Sequence, residues 1–328
     1  MGENQQLMDW LLAGPTWVRY RALIDLLGTA EQDELTISAR RQMLNVPQIG
    51  ELINNISNWE KVSLRRHNDA DHPLHKLAFL ADLGIQMTDT GMEEIFNQIL
   101  AHQSAEGPFE VKLNIPAVFG GSGKDEWCWT LCDAPLLLWC LVKFGLGSDT
   151  RIERGIGYLI SLVRENGWPC ASSPSLGKFR GPGKREDPCP YANLLMLKLL
   201  GSMDEYQGSE PVMKGLQTAL ALWENRQDQH PYLFRMGDDF CKLKAPLIWY
   251  DILHLADVLS YFHQIYNDKR FLEILSIIRS KADPSGAYTP DSVWMKWKGW
   301  EFAQKKEPSR WVTLIIARIE KRIRAGVI

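Results

Sequence analysis

The feature that most constrains this chain is a proline that recurs at the start of an apolar stretch, six times and at nearly even spacing. The intervals are 58, 62, 55, 56 and 62 residues, between Pro15, Pro73, Pro135, Pro190, Pro246 and Pro308. Proline is favourable in the first turn of a helix because its missing N–H has no intrahelical partner there. A fixed period indicates a repeat architecture, so we predict six helices, each beginning beside one of these prolines.

A second set of segments lies between these stretches and is amphipathic. Apolar residues recur there at i, i+3 and i+4 with a charged remainder, over 31–44, 92–103, 150–164, 211–226 and 268–281. Four of the segments lead into a turn with an aromatic residue, at Phe109, Trp168, Tyr232 and Tyr288. One repeat is therefore an outer helix, an aromatic-bearing turn, a loop and an inner helix that is apolar nearly all round.

Alternating fully apolar and one-faced helices fit two concentric layers. We therefore predict an all-α fold, an (α/α)6 toroid of six helical hairpin repeats of about 60 residues, with residues 1–328 forming a single domain. The alternative is a linear two-layer solenoid, which would need atypical polar repeats as caps at both ends.

The composition limits which binding partners and which cellular compartment are expected for this chain. The net charge of −3 gives no overall field for nucleic acid, so no nucleic-acid partner is expected. Six cysteines are too few for a disulfide scaffold. No apolar run approaches the roughly 20 residues of a membrane span, and the N-terminus lacks a basic region followed by an apolar core. We expect a cytoplasmic protein with reduced thiols and no transmembrane segment.

Polar and aromatic residues concentrate in the loops that precede the prolines. If the inner helices run parallel, their N-termini share one side and attract anions there. Basic side chains around GPGK suit a diphosphate, with a solvated loop as the alternative. Aromatic side chains would line a cavity for an apolar substrate. The predicted substrate-binding residues are Trp127, Trp129, Lys178, Arg180, Lys184, Arg185, Tyr191, Trp249, Tyr250, Trp294 and Trp297.

Acidic residues and cysteines in the same loops are candidates for catalysis and for metal binding. Asp133, Asp187 and Asp239 are the predicted catalytic residues, although aspartate is also a normal N-cap. Asp239, Cys241 and Cys189 are candidate ligands for Zn²⁺. The pair Asp69 and Asp71 can likewise bind Mg²⁺, with N-capping as the alternative.

The repeated turns and prolines resemble the terpenoid-cyclase and protein-prenyltransferase β-subunit superfamily, most clearly in SLVRENGWP (161–169). The cyclases of this superfamily protonate an alkene with an Asp-x-Asp-Asp motif. In TLCDAP (130–135) only Asp133 matches that motif, and Thr130 and Cys132 occupy the other acidic places.

The prenyltransferases of the same superfamily hold zinc beside a PGK loop. GPGKRED (181–187) is similar to that loop, but Pro190 stands where the zinc histidine is expected. The Asp-x-Cys pair, Asp239 and Cys241, follows this loop instead of preceding it.

The resemblance implies an enzyme that acts on an isoprenoid or similar long apolar substrate, which bears a diphosphate in the transferase case. Two alternatives stay open. One is a non-catalytic toroid that binds a lipid-like ligand or a protein partner. The other is a carbohydrate-processing barrel with Asp133 and Asp239 as paired carboxylates.

Overall fold

The computed structural model describes residues 2–177, 179 and 181–326. Most of them are helical, as predicted, and they form thirteen α-helices and one antiparallel pair of strands. The helices are α1 Gly2–Leu12, α2 Thr16–Arg21, α3 Glu34–Leu44, α4 Pro47–Ile56, α5 Pro73–Leu83, α6 Met92–Leu100, α7 Ala134–Leu141, α8 Thr150–Ser161, α9 Pro190–Gly201, α10 Glu210–Glu224, α11 Ile252–Leu259, α12 Lys269–Arg279 and α13 Arg310–Gly326. The strands are β1 Val111–Asn114 and β2 Asp125–Cys128.

The six helices predicted from the prolines are α2, α5, α7, α9, α11 and α13. In α5 and α9 the proline is the first helical residue, as its missing N–H favours. In the fifth repeat the helix begins later than predicted, at Ile252. Asp251 is the N-cap there and accepts a hydrogen bond from the His254 N–H (2.9 Å), so a carboxylate sets the helix start instead of Pro246.

The described residues form two compact units, and the unit of residues 53–237 is continuous in sequence. We call it the central unit. Its three inner helices α5, α7 and α9 pack side by side, with α8 against α7 and α10 against α9. The side chains of α7 and α9 are buried along their whole length, which explains why these helices are apolar nearly all round.

The second unit, which we call the terminal unit, combines residues up to Leu52 with residues from Asp238 onward. In it α2 packs on α3, α11 packs on α12 and α13, and α13 also contacts α1 and α2. The last predicted repeat therefore packs against the first. Closure of all six repeats into one toroid, and a single domain over residues 1–328, stay predictions.

The aromatic turn at Trp168 is held against the following inner helix, α9, by hydrogen bonds. The buried Trp168 carbonyl accepts from the Cys189 N–H (2.9 Å) at the start of α9. The Asn193 side chain, also in α9, accepts from the Trp168 N–H (2.9 Å) and donates to the Trp168 carbonyl (2.8 Å). These bonds fix the turn against the helix and satisfy buried backbone groups.

The same arrangement recurs in the terminal unit at Tyr288. Its carbonyl accepts from the Ser309 N–H (2.8 Å), and its N–H donates to the Thr313 hydroxyl (3.0 Å) in α13. The turns at Trp168 and Tyr288 are thus attached to the inner helices that follow them in a similar way. The equivalence of all four aromatic turns stays a prediction.

One element departs from the all-α prediction. Strands β1 and β2 pair antiparallel, with Val111 opposite Cys128 and Asn114 opposite Asp125. Each strand has only four residues, too few for its alternation to stand out in the sequence. Within the part of the chain that the structure describes, none of the helices has the length and apolar character needed to cross a bilayer.

Candidate functional site

Asp133 precedes α7 in the position of an N-cap, but its carboxylate does not act as one. Among the described residues it accepts no hydrogen bond from the first turn of α7. Four other N-cap aspartates do use their carboxylates in that way: Asp33, Asp149, Asp251 and Asp268. The Asp133 side chain is thus the exception, and its hydrogen bonds go elsewhere.

The Asp133 carboxylate pairs with His67, which lies in the loop before α5. His67 Nδ1 is 3.0 Å from both Asp133 Oδ1 and Oδ2. The Thr130 hydroxyl donates to Oδ2 (2.7 Å) and accepts from the Cys132 N–H (3.2 Å). Both carboxylate oxygens therefore accept hydrogen bonds, which favours the ionised form of Asp133.

The two partners shift each other's pKa in opposite directions. Burial acts to raise the pKa of Asp133, but the charge and hydrogen bond of His67 outweigh it, so this pKa is lowered. Burial acts to lower the pKa of His67, but the Asp133 carboxylate outweighs it, so this pKa is raised. Each partner therefore favours the charged form of the other, which is an imidazolium beside a carboxylate.

Two histidines behind His67 fix its loop. His75 Nε2, in α5, donates to the His67 carbonyl oxygen (2.8 Å). His72 is the N-cap of α5 and accepts from the Leu74 N–H through Nδ1 (3.2 Å). Burial lowers the pKa of His72 and of His75 to about 4 in each case. Both rings are thus neutral near pH 7, so that among these three histidines the positive charge is carried by His67.

Within the couple, only His67 is accessible. Its side chain is 30% exposed, whereas that of Asp133 is 1% exposed. Because Nδ1 faces Asp133, the second ring nitrogen, Nε2, is the atom that remains to exchange a proton with a substrate. A buried carboxylate that orients an accessible imidazole is suited to general acid–base catalysis.

Two thiols lie beside the couple. Cys132 directly precedes Asp133, and its Sγ is 3.9 Å from Sγ of Cys189, the N-cap of α9. The charge of Asp133 acts on Cys132, and the charge of His67 acts on Cys189. Asp133, His67, Cys132 and Cys189 thus form one polar cluster between the starts of α7 and α9, which we call the acid–thiol cluster.

The aromatic residues that the sequence assigns to substrate binding have structural contacts in the central unit. Trp127 in β2 is partly exposed and stacks on His102, with ring centroids 3.5 Å apart. Trp129 is buried and donates to the Glu106 carboxylate (3.3 Å). Tyr191 is fully buried in the first turn of α9. Of these three side chains, only that of Trp127 is open to solvent.

The basic loop is only partly described, and Lys178 and Arg180 lie outside the described residues. Lys184 and Arg185 are exposed. The Asp187 carboxylate accepts from the Lys184 N–H (3.3 Å), and the Tyr232 hydroxyl donates to the Lys184 carbonyl (3.0 Å). The loop is thus held by its backbone, and its described basic side chains are exposed, so the anion site stays a prediction.

The remaining predicted residues belong to the terminal unit. Asp239 is largely exposed and pairs with Lys242 (2.9 Å). The indole N–H of Trp294 donates to the Pro246 carbonyl (3.1 Å), and Lys244 lies 3.9 Å from the centroid of that ring. Four predicted residues are buried or partly buried there: Cys241, Trp249, Tyr250 and Trp297. A single site that joins them to the central-unit residues stays a prediction.

Within residues 2–177, 179 and 181–326, no group of three or more His, Cys, Asp or Glu side chains is placed to hold one metal ion. The candidate ligands Asp239, Cys241 and Cys189 lie within these residues and form no such group. Asp71 forms an ion pair with Lys76 (2.8 Å).

Two open pockets flank the loop of His67. One, of about 430 Å³, is lined by polar residues that include Lys61, Asp69 and His72. The other, of about 440 Å³, is lined by 65–66 and 68–70.

Sequence reasoning did not single out His67 or His75 as site residues. His67 lies before α5 and its partner Asp133 lies before the next inner helix, α7, 66 residues further on. That separation is close to one repeat period. Pairing ionisable residues at equivalent positions of successive repeats is therefore the signal that could have found the couple.

The fold and the cluster define a helical-repeat protein with a buried aspartate–histidine couple. No family model matches the chain, and no curated protein matches it. Among solved structures, a protein from Actinoplanes is similar at 14% identity and a TM-score of 0.43, over 95% of this chain and 90% of that one. A variant of the type II terpene cyclase MstE from Scytonema, in complex with geranylgeranyl dihydroxybenzoate, is similar at 10% identity and a TM-score of 0.41, over 95% and 87%. The apo form of MstE is similar at 10% identity and a TM-score of 0.40, over 95% and 88%. Identities and TM-scores this low assign no activity.

Proposed function

We propose that this protein is a terpenoid-cyclase-like or prenyltransferase-like enzyme in which His67 transfers a proton to an isoprenoid or similar long apolar substrate. The observation that carries the proposal is the Asp133 carboxylate, which accepts hydrogen bonds from His67 and Thr130 instead of capping α7. A carboxylate that binds a partly exposed imidazole instead of capping its helix lowers the stability of the fold. We therefore assign the imidazole a catalytic role.

In this proposal the two residues have different roles. Asp133 holds the His67 ring in place and keeps it protonated, and His67 Nε2 donates the proton.

The assignment of the substrate class is supported by the likeness of the repeats to the terpenoid-cyclase superfamily. Lys184 and Arg185, both exposed, would bind a diphosphate if the substrate bears one. The partly exposed Trp127 would offer an aromatic face.

A non-catalytic protein that binds a lipid-like ligand is the second candidate. It is favoured by one observation: the acidic motif of the cyclases is incomplete in this chain, with Thr130 and Cys132 at two of its acidic places. Native mass spectrometry of the purified protein would detect a bound lipid. A bound lipid with no turnover of any isoprenoid diphosphate or squalene would favour this candidate over the enzyme.

Replacing His67 with Gln is expected to lower kcat at least about 100-fold, because glutamine keeps a hydrogen bond to Asp133 but cannot carry the proton. Turnover of geranylgeranyl diphosphate, farnesyl diphosphate and squalene would be followed by product chromatography. In the wild-type protein, activity should fall as the pH rises through the raised pKa of His67, because the donor is the protonated form.

The matched control for this prediction is Asp149→Asn, which changes an N-cap aspartate that does cap its helix. Asparagine caps about as well as aspartate, so activity should be unchanged. Asp133→Asn should behave like His67→Gln, since it removes the charge that keeps His67 protonated. Full activity in both site variants would refute the proposed role of the couple.

A further inference from the structure

The thiols of the acid–thiol cluster are close enough to react with each other. The Sγ atoms of Cys132 and Cys189 are 3.9 Å apart, and both side chains are thiols. A disulfide requires an S–S distance of about 2.05 Å, so an approach of about 2 Å would join them. Cys132 is partly exposed, and Cys189 is nearly buried, so small oxidants reach the pair from the Cys132 side.

The surroundings of the two sulfurs differ in a way that favours reaction. Cys189 Sγ accepts a hydrogen bond from the Ala192 N–H (3.5 Å) in the first turn of α9, where the helix also presents partial positive charge. The hydrogen bond from Cys132, the backbone N–H groups and the charge of His67 lower the pKa of Cys189. The same hydrogen bond, with burial, raises the pKa of Cys132. Of the two thiols, Cys189 is therefore the one that ionises more readily, and Cys132 is the one that keeps its proton more readily.

We propose that Cys132 and Cys189 are a modification site at which a peroxide forms a reversible disulfide beside the His67–Asp133 couple. The Cys189 thiolate attacks one peroxide oxygen, the O–O bond breaks, and with one proton the products are a Cys189 sulfenic acid and water. The Cys132 thiol then displaces the sulfenic oxygen as a second water. Two thiols lose two electrons and two protons, and one hydrogen peroxide becomes two waters.

Two other cysteines of the central unit, Cys128 and Cys140, lack this combination. Burial raises the pKa of Cys128 to about 12, and it raises that of Cys140, in the middle of α7, further still. Both thiols therefore stay protonated and shielded from oxidants. Cys170 accepts a hydrogen bond from the Gly181 N–H (3.2 Å) in the basic loop. The proposed site is thus Cys132 and Cys189, whose sulfur atoms already lie 3.9 Å apart.

Oxidation would also change the proposed chemistry, and this consequence rests on the proposed function. The negative charge of Cys189 supports the protonated form of His67. A disulfide removes that charge and should reduce the proton-donating form. The formation of the bond itself is measured without any substrate, so the two proposals can fail separately.

The test is a count of free thiols in the folded protein after treatment with hydrogen peroxide. We expect the count to fall from six to four. Mass spectra should then show a linked pair of peptides that contains Cys132 and Cys189. Dithiothreitol should restore the count to six. Cys132→Ser and Cys189→Ser should each prevent the link. The control Cys140→Ala, in the middle of α7, should still form it.

Peptide mapping of the wild-type protein is sufficient on its own, so a variant that does not fold leaves the test intact. Six thiols that persist through peroxide treatment would overturn the proposal. A link through Cys170 or any other cysteine would also overturn it, because the reactive pair would then be a different one.

Discussion

Lowering the pH from 6.5 to 4 is expected to remove about 6 kcal/mol of folding free energy from the central unit through His72 and His75. Burial lowers the pKa of each ring to about 4, whereas an unfolded histidine titrates near 6.5. Between these values the unfolded chain binds the protons and the folded chain does not. Each histidine therefore contributes about 3 kcal/mol above pH 6.5, and this contribution is lost as the pH falls to 4.

The measurement is urea unfolding across this pH range for the wild-type protein and for His72→Asn. Asparagine also caps a helix, so the variant keeps the start of α5 but loses the titrating ring. Its loss of stability from pH 6.5 to 4 should be smaller than that of the wild type by about 3 kcal/mol. The control is His263→Asn, at an exposed histidine of the terminal unit. A variant that keeps the wild-type pH dependence would contradict this account.

A buried carboxyl in the terminal unit works in the opposite direction. Burial raises the pKa of Asp251 to about 7, so the folded chain binds its proton before the unfolded chain does, and acid stabilises this group. Hydrogen exchange resolved by residue separates the two effects. Protection should fall in α5 and α7 on acidification while it is maintained or increased in α11.

Replacing Asn193 with Ala is expected to destabilise the central unit by about 4 kcal/mol. The Asn193 side chain is fully buried and makes three hydrogen bonds to backbone groups, two at Trp168 and one at the Cys189 carbonyl (2.8 Å). Without it the buried Trp168 N–H loses its acceptor, and an unsatisfied buried donor costs about 1–3 kcal/mol by itself. Chemical denaturation monitored by circular dichroism would measure the change.

Thr313→Val provides the matched comparison in the terminal unit. It removes one hydrogen bond to the equivalent aromatic turn, from the Tyr288 N–H, and preserves the shape of the side chain. We expect a loss of about 1–2 kcal/mol. Equal losses in the two variants would contradict the idea that the asparagine anchors its turn through several bonds.

Much of the helical architecture could be predicted from the sequence because the regular spacing of the prolines and the apolar pattern that follows each one indicate the same helices. The proline spacing located all six inner helices, and the amphipathic segments located α3, α6, α8, α10 and α12. The exception in position is α11, where Asp251 caps the helix several residues after Pro246. Strands β1 and β2 were missed because pairing across a loop leaves no periodic signal in four residues.

The candidate site was predictable only in part. Asp133 was found because it precedes a proline at a helix start, but its partner depends on contact between two repeats. Trp129 and Trp297 were predicted to line a cavity, and this stays a prediction, since both side chains are buried. Composition cannot separate these roles, because tryptophan fills a core between helices and lines a pocket for the same reason, its large apolar area.

The contact of α13 with α1 and α2 has a consequence for synthesis of the chain on the ribosome. The central unit is complete once residue 237 has emerged and can fold while translation continues. Helices α1 and α2 precede the central unit in the chain, but their contacts with α13 can form only after residues 310–326 have been made. Those contacts are therefore among the last to form, and a chain truncated before α13 would leave the faces of α1 and α2 that α13 covers open to chaperones and proteases.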